Sequence, residues 1–259
     1  MRVLFVGDVC GRPGRNALRE NLPNLRKTLG PFDFVIANCE NAASGFGMTE
    51  KIMDEMFGFG IDAMTSGNHI WDKKEFVGVL EREPRVLRPA NYPPGAPGIG
   101  FGTFERQGRK LGVINLMGRA FMSPVDCPFR ASDSILESME ADAILVDFHA
   151  EATAEKIALG RYLDGRVSIF AGTHTHVQTA DESILPGGTA YITDAGLTGG
   201  HGGVIGNRYD SVLAKFLYGV PSKFEIESSD ARLQGIVADI DDETGKAFDI
   251  RRVSASAGQ

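Results

Sequence analysis

Four of the five histidines in this chain stand at or just after the end of a short apolar segment, with carboxylate and amide side chains at equivalent places. The polar residues that end these segments are Asp8, Glu40 with Asn41, Asn68 with His69, His149, and His174 with His176. Histidine, carboxylate and amide oxygen are ligands for Mn, Fe and Zn, whereas a structural zinc finger needs a cluster of thiolates. These residue types therefore predict a metal centre that can do chemistry.

Each of these motifs also has a structural explanation when taken alone. Asp8 is a common type of turn or helix-cap residue, and His149 fits a hydrogen-bonded core histidine. In an extended segment His174 and His176 face the same side, which suits either two solvated rings or two ions about 3.5–4 Å apart. The joint occurrence of five such sites, all with N or O ligands, favours the metal centre. His201 is not assigned to it because no strand is predicted before it.

The elements that must position these residues are short strands that alternate with helices. A turn rich in glycine and arginine is predicted at residues 11–15, and helical segments are predicted at residues 16–29, 49–56, 72–81 and 153–163, with Thr49 and Asp72 as N-caps. This alternation predicts βαβ units and a sheet with parallel strands. The carboxyl ends of such strands converge on one crevice, so Asp8 and His176 are expected to meet there despite their separation in sequence.

The composition narrows the class of protein. A net charge of −7 and a pI near 5.3 argue against stable binding to DNA, which needs a broad basic face. The three cysteines show no CxxC spacing, which favours a reducing cytoplasm. No apolar run approaches the length of a membrane span. A homo-oligomer is compatible with this composition.

The chain is predicted to form a single domain over residues 1–253. Its last part is a β-hairpin at about residues 233–253, with a polar turn, and residues 254–259 are expected to be frayed. Residues 84–104 are rich in proline and glycine and are interpreted as a surface connection.

Four longer strings of residues resemble the ordered blocks of calcineurin-like metallophosphoesterases, and in particular the bacterial YmdB-like phosphodiesterases. They are residues 7–15, 38–41, 65–72 and 172–181, and the resemblance runs from Arg2 to about Tyr209. It implies an α/β fold, a metallophosphoesterase sandwich of mixed β-sheets flanked by helices, with a di-metal site at strand carboxyl ends.

The resemblance also implies roles for individual residues. One metal would be held by Asp8, Glu40, Asn41 and His176, and the other by Glu40, Asn68, His149 and His174. His69 would be the proton donor. Most of the superfamily has a histidine where this chain has Cys10, and Asn41 matches the residue that replaces it in the YmdB-like subfamily. An acid usually follows the catalytic histidine directly, so the displaced Asp72 leaves the orientation of His69 open.

The function implied is that of a phosphodiesterase with two divalent ions, Fe and/or Mn, with Zn also acceptable to these ligands. The ions would activate a hydroxide that attacks phosphorus, while Arg12 and Arg15 are candidates to contact the phosphate. Cyclic nucleotides are the implied substrates, 2′,3′-cyclic ones above all, with 3′,5′-cAMP as a further candidate. A phosphomonoesterase or nucleotidase, and a non-catalytic regulator that binds nucleotide or RNA, are the alternatives.

Overall fold

Two β-sheets packed face to face form the centre of the structure, a computed structural model that describes residues 1–256. Thirteen strands lie in this part of the chain: β1 (Arg2–Val6), β2 (Asp8–Val9), β3 (Phe34–Asn38), β4 (Ala63–Thr65), β5 (Phe101–Arg106), β6 (Arg109–Met117), β7 (Ala143–His149), β8 (Ile169–Thr173), β9 (Ser183–Ile184), β10 (Ala190–Ile192), β11 (Leu197–Gly200), β12 (Ala231–Ile240) and β13 (Ala247–Ser256). The α-helices are α1 (Gly11–Thr28), α2 (Glu50–Gly58), α3 (Val77–Leu80), α4 (Pro128–Leu136), α5 (Thr153–Tyr162) and α6 (Tyr209–Tyr218), and 3₁₀ helices span Asn68–Trp71 and Lys74–Phe76.

The first sheet has the strand order β2-β11-β12-β1-β3-β4, with β13 paired to β12, and the second has the order β5-β6-β7-β8-β10-β9. Both sheets are mixed. Strands β1, β3 and β4 are parallel neighbours, and so are β6, β7 and β8. The carboxyl ends of β1, β3, β4, β7 and β8 carry the predicted ligands, so these two parallel groups position the site.

Strand β1 shows how the sequence produces this arrangement. Side chains alternate between the two faces of a strand. Val3 and Phe5 belong to the core between the sheets, and Leu4 and Val6 to the core under the helices. Because both faces are covered, the strand is apolar throughout its buried length, as is typical of buried parallel strands.

Helices cover the outer face of each sheet. Leu18, Leu22 and Leu25 project from one side of α1 onto the first sheet, at the spacing of an amphipathic helix. Thr49 caps α2 as predicted, because its hydroxyl accepts a hydrogen bond from the amide of Ile52. Helices α4 and α5 contribute Ile135 and Leu159 to the core on the second sheet. The layers are therefore helix, sheet, sheet and helix.

Four predictions of local structure need correction. Residues 11–15 are not a turn, because α1 already begins at Gly11. The hairpin strands reach Ser256, where residues 254–256 pair with residues 232–234, so those three residues are not frayed. Residues 257–259 lie outside the described part. The segment 84–104 is not a surface connection, because Val86 and Leu87 are buried and strand β5 begins within it. Asp72 starts no long helix, since a 3₁₀ turn and the short α3 follow it.

None of the helices in residues 1–256 combines the length and the hydropathy that crossing a membrane requires.

Candidate metal centre

The two sheets bring the seven predicted ligands to one end of the sandwich. Asp8 begins β2, directly after the turn that ends β1, and Glu40 follows β3 by two residues. His149 is the last residue of β7, and His174 follows β8. Asp8, Glu40 and His149 are at most 1% exposed. Such burial of carboxylates and an imidazole is costly unless the groups are paired or bind a metal.

Three of these ligands converge on a single point. Glu40 Oε1 lies 2.9 Å from His149 Nε2, and His174 Nδ1 lies 3.0 Å from the same nitrogen. Ligand atoms about 2.1 Å from a shared ion and at right angles to one another are about 3.0 Å apart. The spacing of Glu40, His149 and His174 therefore suits coordination of one cation.

The hydrogen bonds around His149 determine which of its nitrogens faces that point. The Thr173 hydroxyl donates its only hydrogen to Asp147 Oδ1, at 2.7 Å. It must then accept the hydrogen bond from His149 Nδ1, at 2.9 Å. This leaves the lone pair of Nε2 free for a ligand, in the manner of carboxylate–histidine–metal triads, with a threonine inserted.

The other two imidazoles are oriented in the same way. His174 Nε2 lies 3.1 Å from Glu151 Oε2, which leaves Nδ1 for the shared point. His176 Nδ1 lies 3.0 Å from the carbonyl oxygen of Ile205, which leaves Nε2 directed toward Asp8 Oδ1 at 4.0 Å. Each of the three histidines thus offers one unprotonated nitrogen to the centre when it is neutral.

Three buried oxygens at the centre have no hydrogen-bond partner within the described residues: Asp8 Oδ1, Asn41 Oδ1 and Asn68 Oδ1. Buried polar atoms without a partner are rare and costly in native proteins. All three belong to predicted ligands, while the opposite Asn41 amide group donates to the Gly45 carbonyl oxygen at 2.9 Å. Together with the converging nitrogens, these orphaned oxygens fit a site for two cations.

The electrostatics of the centre favour positive charge. Burial alone would lower the pKa of His149, but Glu40 and Asp8 raise it to about 9. Burial alone would raise the pKa of Glu40, yet contact with His149 lowers it to about 2. Burial and the charge of His149 lower the pKa of His174 to about 3. The carboxylates thus stabilise a cation where the ligand atoms converge, and metal binding there displaces protons.

His69 is held beside this centre and is oriented by Asp72. Its amide donates to Glu40 Oε2 at 2.8 Å, and its Nδ1 lies 2.8 Å from Asp72 Oδ2. The intervening residues do not prevent this contact, because a 3₁₀ helix places residues three apart on the same side. Gly67 lets the segment before His69 lie close to His149, since a Cβ at residue 67 would overlap the His149 ring.

Cys10 is buried and lies at the cavity beside the centre. Burial raises the pKa of its thiol to about 12, and the neighbouring carboxylates Asp8 and Glu40 add to the effect. Without a bound cation the thiol therefore stays protonated.

A cavity of about 290 Å³ opens at the centre, and its lining residues include Glu40, Asn41, His69, Glu151, His174, His176, Phe46, Ile205, Asn207 and Phe224. Neither predicted phosphate contact lines it. Arg15 is bound to Glu55 and to the carbonyl oxygen of Ala42, and Arg12 is exposed at the start of α1. Trp71 packs against Tyr92 away from the cavity.

His201 follows β11, a strand that was missed from the sequence. Its Nε2 lies 3.1 Å from the carbonyl oxygen of Leu197, and His201 does not line the cavity. Leaving it out of the ligand set therefore agrees with its place in the fold.

Comparison with known proteins assigns the chain to a family. Residues 4–253 match the family described as YmdB-like protein. The chain belongs to the YmdB-like family. It is 48% identical over 255 residues to the 2′,3′-cyclic-nucleotide 2′-phosphodiesterase of Bacillus subtilis, which covers 98% of this chain and 96% of that relative.

Solved structures support the assignment. A crystal structure described as a novel phosphatase from Mycoplasma pneumoniae matches this YmdB-like protein with a TM-score of 0.94 and 34% identity, over 99% of this chain and 93% of the other. The NAD nucleotidase of Haemophilus influenzae matches with a TM-score of 0.60 and 12% identity, over 99% of this chain and 56% of the other, which shows a shared fold alone. The predicted metallophosphoesterase sandwich is confirmed.

Several residues at the centre were missed from the sequence. Thr173, Glu151 and Asp147 orient the histidines. Thr173 is adjacent to a predicted ligand, and Glu151 is two residues from one. Proximity to the motifs was therefore the only signal for these two residues. The alternating pattern of β7 also places Asp147 and His149 on the same face, which is the signal that could have identified Asp147.

Proposed function

We propose that this YmdB-like protein is a di-metal phosphodiesterase that hydrolyses 2′,3′-cyclic nucleotides. The observation that carries this proposal is the convergence of Glu40, His149 and His174 beside three orphaned buried oxygens, with His69 adjacent. The name of the B. subtilis relative supports the substrate class.

The residues present fit two cations that share Glu40. Asp8, Asn41 and His176 would hold one, and Asn68, His149 and His174 the other. Bound divalent ions supply activation of water near neutral pH and neutralisation of phosphate charge. The donor set of imidazole, carboxylate and amide oxygen suits Fe or Mn, and also accepts Zn.

The chain's own residues supply the remaining chemistry. Asp72 accepts the hydrogen bond from His69 Nδ1 and stabilises the imidazolium that donates a proton to the leaving oxygen.

The charge of the cavity favours a diester over a monoester. No lysine or arginine lines the cavity in the described part of the chain, whereas Glu40 and Glu151 do. A phosphomonoester carries close to two negative charges at neutral pH and a diester carries one. A site whose only positive groups are the proposed ions and a protonated histidine suits the smaller charge.

Purified protein loaded with Mn²⁺ is expected to hydrolyse 2′,3′-cAMP and bis-p-nitrophenyl phosphate faster than p-nitrophenyl phosphate or 3′,5′-cAMP. Initial rates on these four substrates, at equal concentrations and pH, provide the measurement. A preference for p-nitrophenyl phosphate would instead support a phosphomonoesterase. Two bound ions per chain with no turnover of any phosphoester would support a non-catalytic binding protein.

Phe46 is expected to contact the nucleobase of the substrate. It is 36% exposed, and its ring lies edge-on to that of His69 with centroids 4.9 Å apart. Its loop is held in place rather than free to move, since the amide of Gly45 donates to Asn41 and that of Ala43 to Gly47. A rigid, exposed aromatic ring beside the proton donor offers a stacking surface.

Phe46→Ala is expected to raise KM for 2′,3′-cAMP about 5- to 150-fold, because base–aromatic stacking contributes about 1–3 kcal/mol. The matched control substrate is glycerol 1,2-cyclic phosphate, which has the cyclic diester but no base. Its KM should change little in Phe46→Ala. Phe46→Trp should retain low KM. An equal loss on both substrates would show that Phe46 acts through His69 instead.

Two wider properties of the chain are also proposed. The three cysteines are free thiols in the structure, which supports a reducing cytoplasmic location. Both sheets supply ligands to one centre and share a continuous core, which supports a single domain over residues 1–253. Limited proteolysis that yields one resistant fragment of this size is the corresponding measurement.

A further inference from the structure

The segment that carries two of the proposed ligands has an unusual backbone. His174 and His176 have positive φ angles of 97° and 62°, a region that residues other than glycine seldom adopt. Such conformations persist only where the surroundings hold them, and they cluster at functional sites. Only Thr175 lies between the two histidines, so whatever holds Thr175 also fixes the backbone from which both rings project.

A buried ion pair holds Thr175. Asp194 Oδ2 accepts hydrogen bonds from the Thr175 amide at 3.1 Å and from the Thr175 hydroxyl at 2.6 Å. The same oxygen lies 2.9 Å from Lys156 Nζ, which is also 3.4 Å from the Thr175 hydroxyl. Lys156 and Asp194 are at most 1% exposed. We call Lys156, Asp194 and Thr175 the clamp.

The fold makes room for this pair at some cost. Lys156 comes from α5, and its stem passes Gly172, where an added Cβ would overlap the Thr193 carbonyl group and lie 3.0 Å from the Lys156 Cδ. The second oxygen of Asp194 accepts from the Gly196 amide at 2.8 Å, which fixes the carboxylate plane. A buried ion pair contributes little net stability compared with apolar residues of similar volume. Positioning explains its presence better than stability does.

We propose that Lys156 and Asp194 are positioning residues for the metal centre: by fixing Thr175, they direct His174 and His176 onto the two cations. The inference rests on the di-metal site of the proposed function. It differs from that proposal in concerning residues that contact no substrate and no ligand atom of the ions. Because the two rings flank one residue, loosening the clamp weakens both ions together, whereas loss of a single terminal ligand weakens one.

The test is a titration of the metal-free full chain with Mn²⁺, and separately with Zn²⁺, followed by calorimetry and by elemental analysis. The variant Lys156→Met with Asp194→Asn keeps the net charge, so that the field at Asp8 changes little. The side-chain amide that replaces the Asp194 carboxylate cannot accept hydrogen bonds from both Thr175 and Gly196, because the NH₂ end of an amide is a donor. Affinity for both ions is expected to fall about 10- to 100-fold, as for other residues that orient metal ligands.

Thr175→Val is the second variant and leaves the ion pair intact. It removes only the hydroxyl, and a smaller loss of affinity for both ions is expected, while Thr175→Ser restores binding. Thr179→Val is the matched control. Its hydroxyl contacts the backbone of Asp194 but not the Asp194 carboxylate that holds Thr175, so Mn²⁺ affinity should remain that of the unaltered protein.

The melting temperature of each metal-free variant separates positioning from folding. A lower melting temperature with unchanged affinity for both ions would overturn the proposal, and so would unchanged affinity in every variant or equal losses in the Thr179→Val control. An unaltered protein that binds two ions but hydrolyses no phosphoester would refute the proposed function and leave the clamp supported by the titrations. An unaltered protein that binds neither Mn²⁺ nor Zn²⁺ would overturn both.

Discussion

Glu40→Gln is expected to lose most of the bound metal and to lower the rate of diester hydrolysis by at least about 10³-fold. Glu40 is the one ligand assigned to both ions, and the charge stabilisation lost with them amounts to several kcal/mol, at about 1.4 kcal/mol per factor of ten. The amide would also turn its NH₂ toward His149 Nε2, because the opposite end must still accept from the His69 amide. That contact occupies a nitrogen the ion needs.

Elemental analysis of protein dialysed against Mn²⁺ checks the first part, and the rate on 2′,3′-cAMP checks the second. The matched control is Glu151→Gln, the same chemical change in the carboxylate beside His174 Nε2. A glutamine there still accepts the hydrogen bond from His174, so two ions per chain should be retained. Retention of two ions by Glu40→Gln would contradict its assignment as the shared ligand.

His69→Ala is expected to lower kcat on 2′,3′-cAMP about 10²- to 10⁴-fold with both ions still bound, because a positioned general acid contributes that much. The loss should be much smaller on bis-p-nitrophenyl phosphate, since p-nitrophenolate leaves without protonation. This contrast between leaving groups separates proton donation from general damage to the site. The backbone contact from residue 69 to Glu40 does not depend on the side chain and should persist.

Asp72→Asn serves as the companion variant. The amide oxygen can still accept from His69 Nδ1 but carries no charge, so kcat on 2′,3′-cAMP should fall less than in His69→Ala, again with little effect on bis-p-nitrophenyl phosphate. Combined with His69→Ala it should add almost nothing, since residues that act as a unit are not additive. Equal losses on both substrates in His69→Ala, with the ions bound, would remove His69 from the role of acid.

The candidate ligand set could be predicted from the sequence because its members occupy equivalent places after successive strands. That Asp8, Glu40 and His149 lie close together can be predicted without knowing which residues surround them, because parallel strands end at the same edge of a sheet. The cap at Thr49 follows from a similarly local pattern, whereas the resemblance to metallophosphoesterases added the sandwich of two sheets and the pairing of ligands into two ions.

The predictions that failed were made from local sequence at positions where tertiary packing decides the contacts of a residue. Residues 84–104 look like a surface loop by composition, yet Val86 and Leu87 are buried. Arg15 has the charge and position of a phosphate contact, but Glu55 on α2 binds it. In both cases the residues in contact are distant in sequence, and no periodic pattern predicts the contact.

The sequence by itself determined which side chains could bind metal, because residue type decides that. It also determined that they would meet at one edge of the sheets, because strand direction and chain order settle where the strands end. Only the tertiary structure decided which nitrogen each histidine presents and which residues hold it there. Thr173, Glu151 and Asp194 take these roles through hydrogen bonds whose geometry depends on how two sheets and α5 pack. Hydrogen bonds act over about 3 Å, whereas sequence patterns specify the direction of a side chain but not its neighbours across the core.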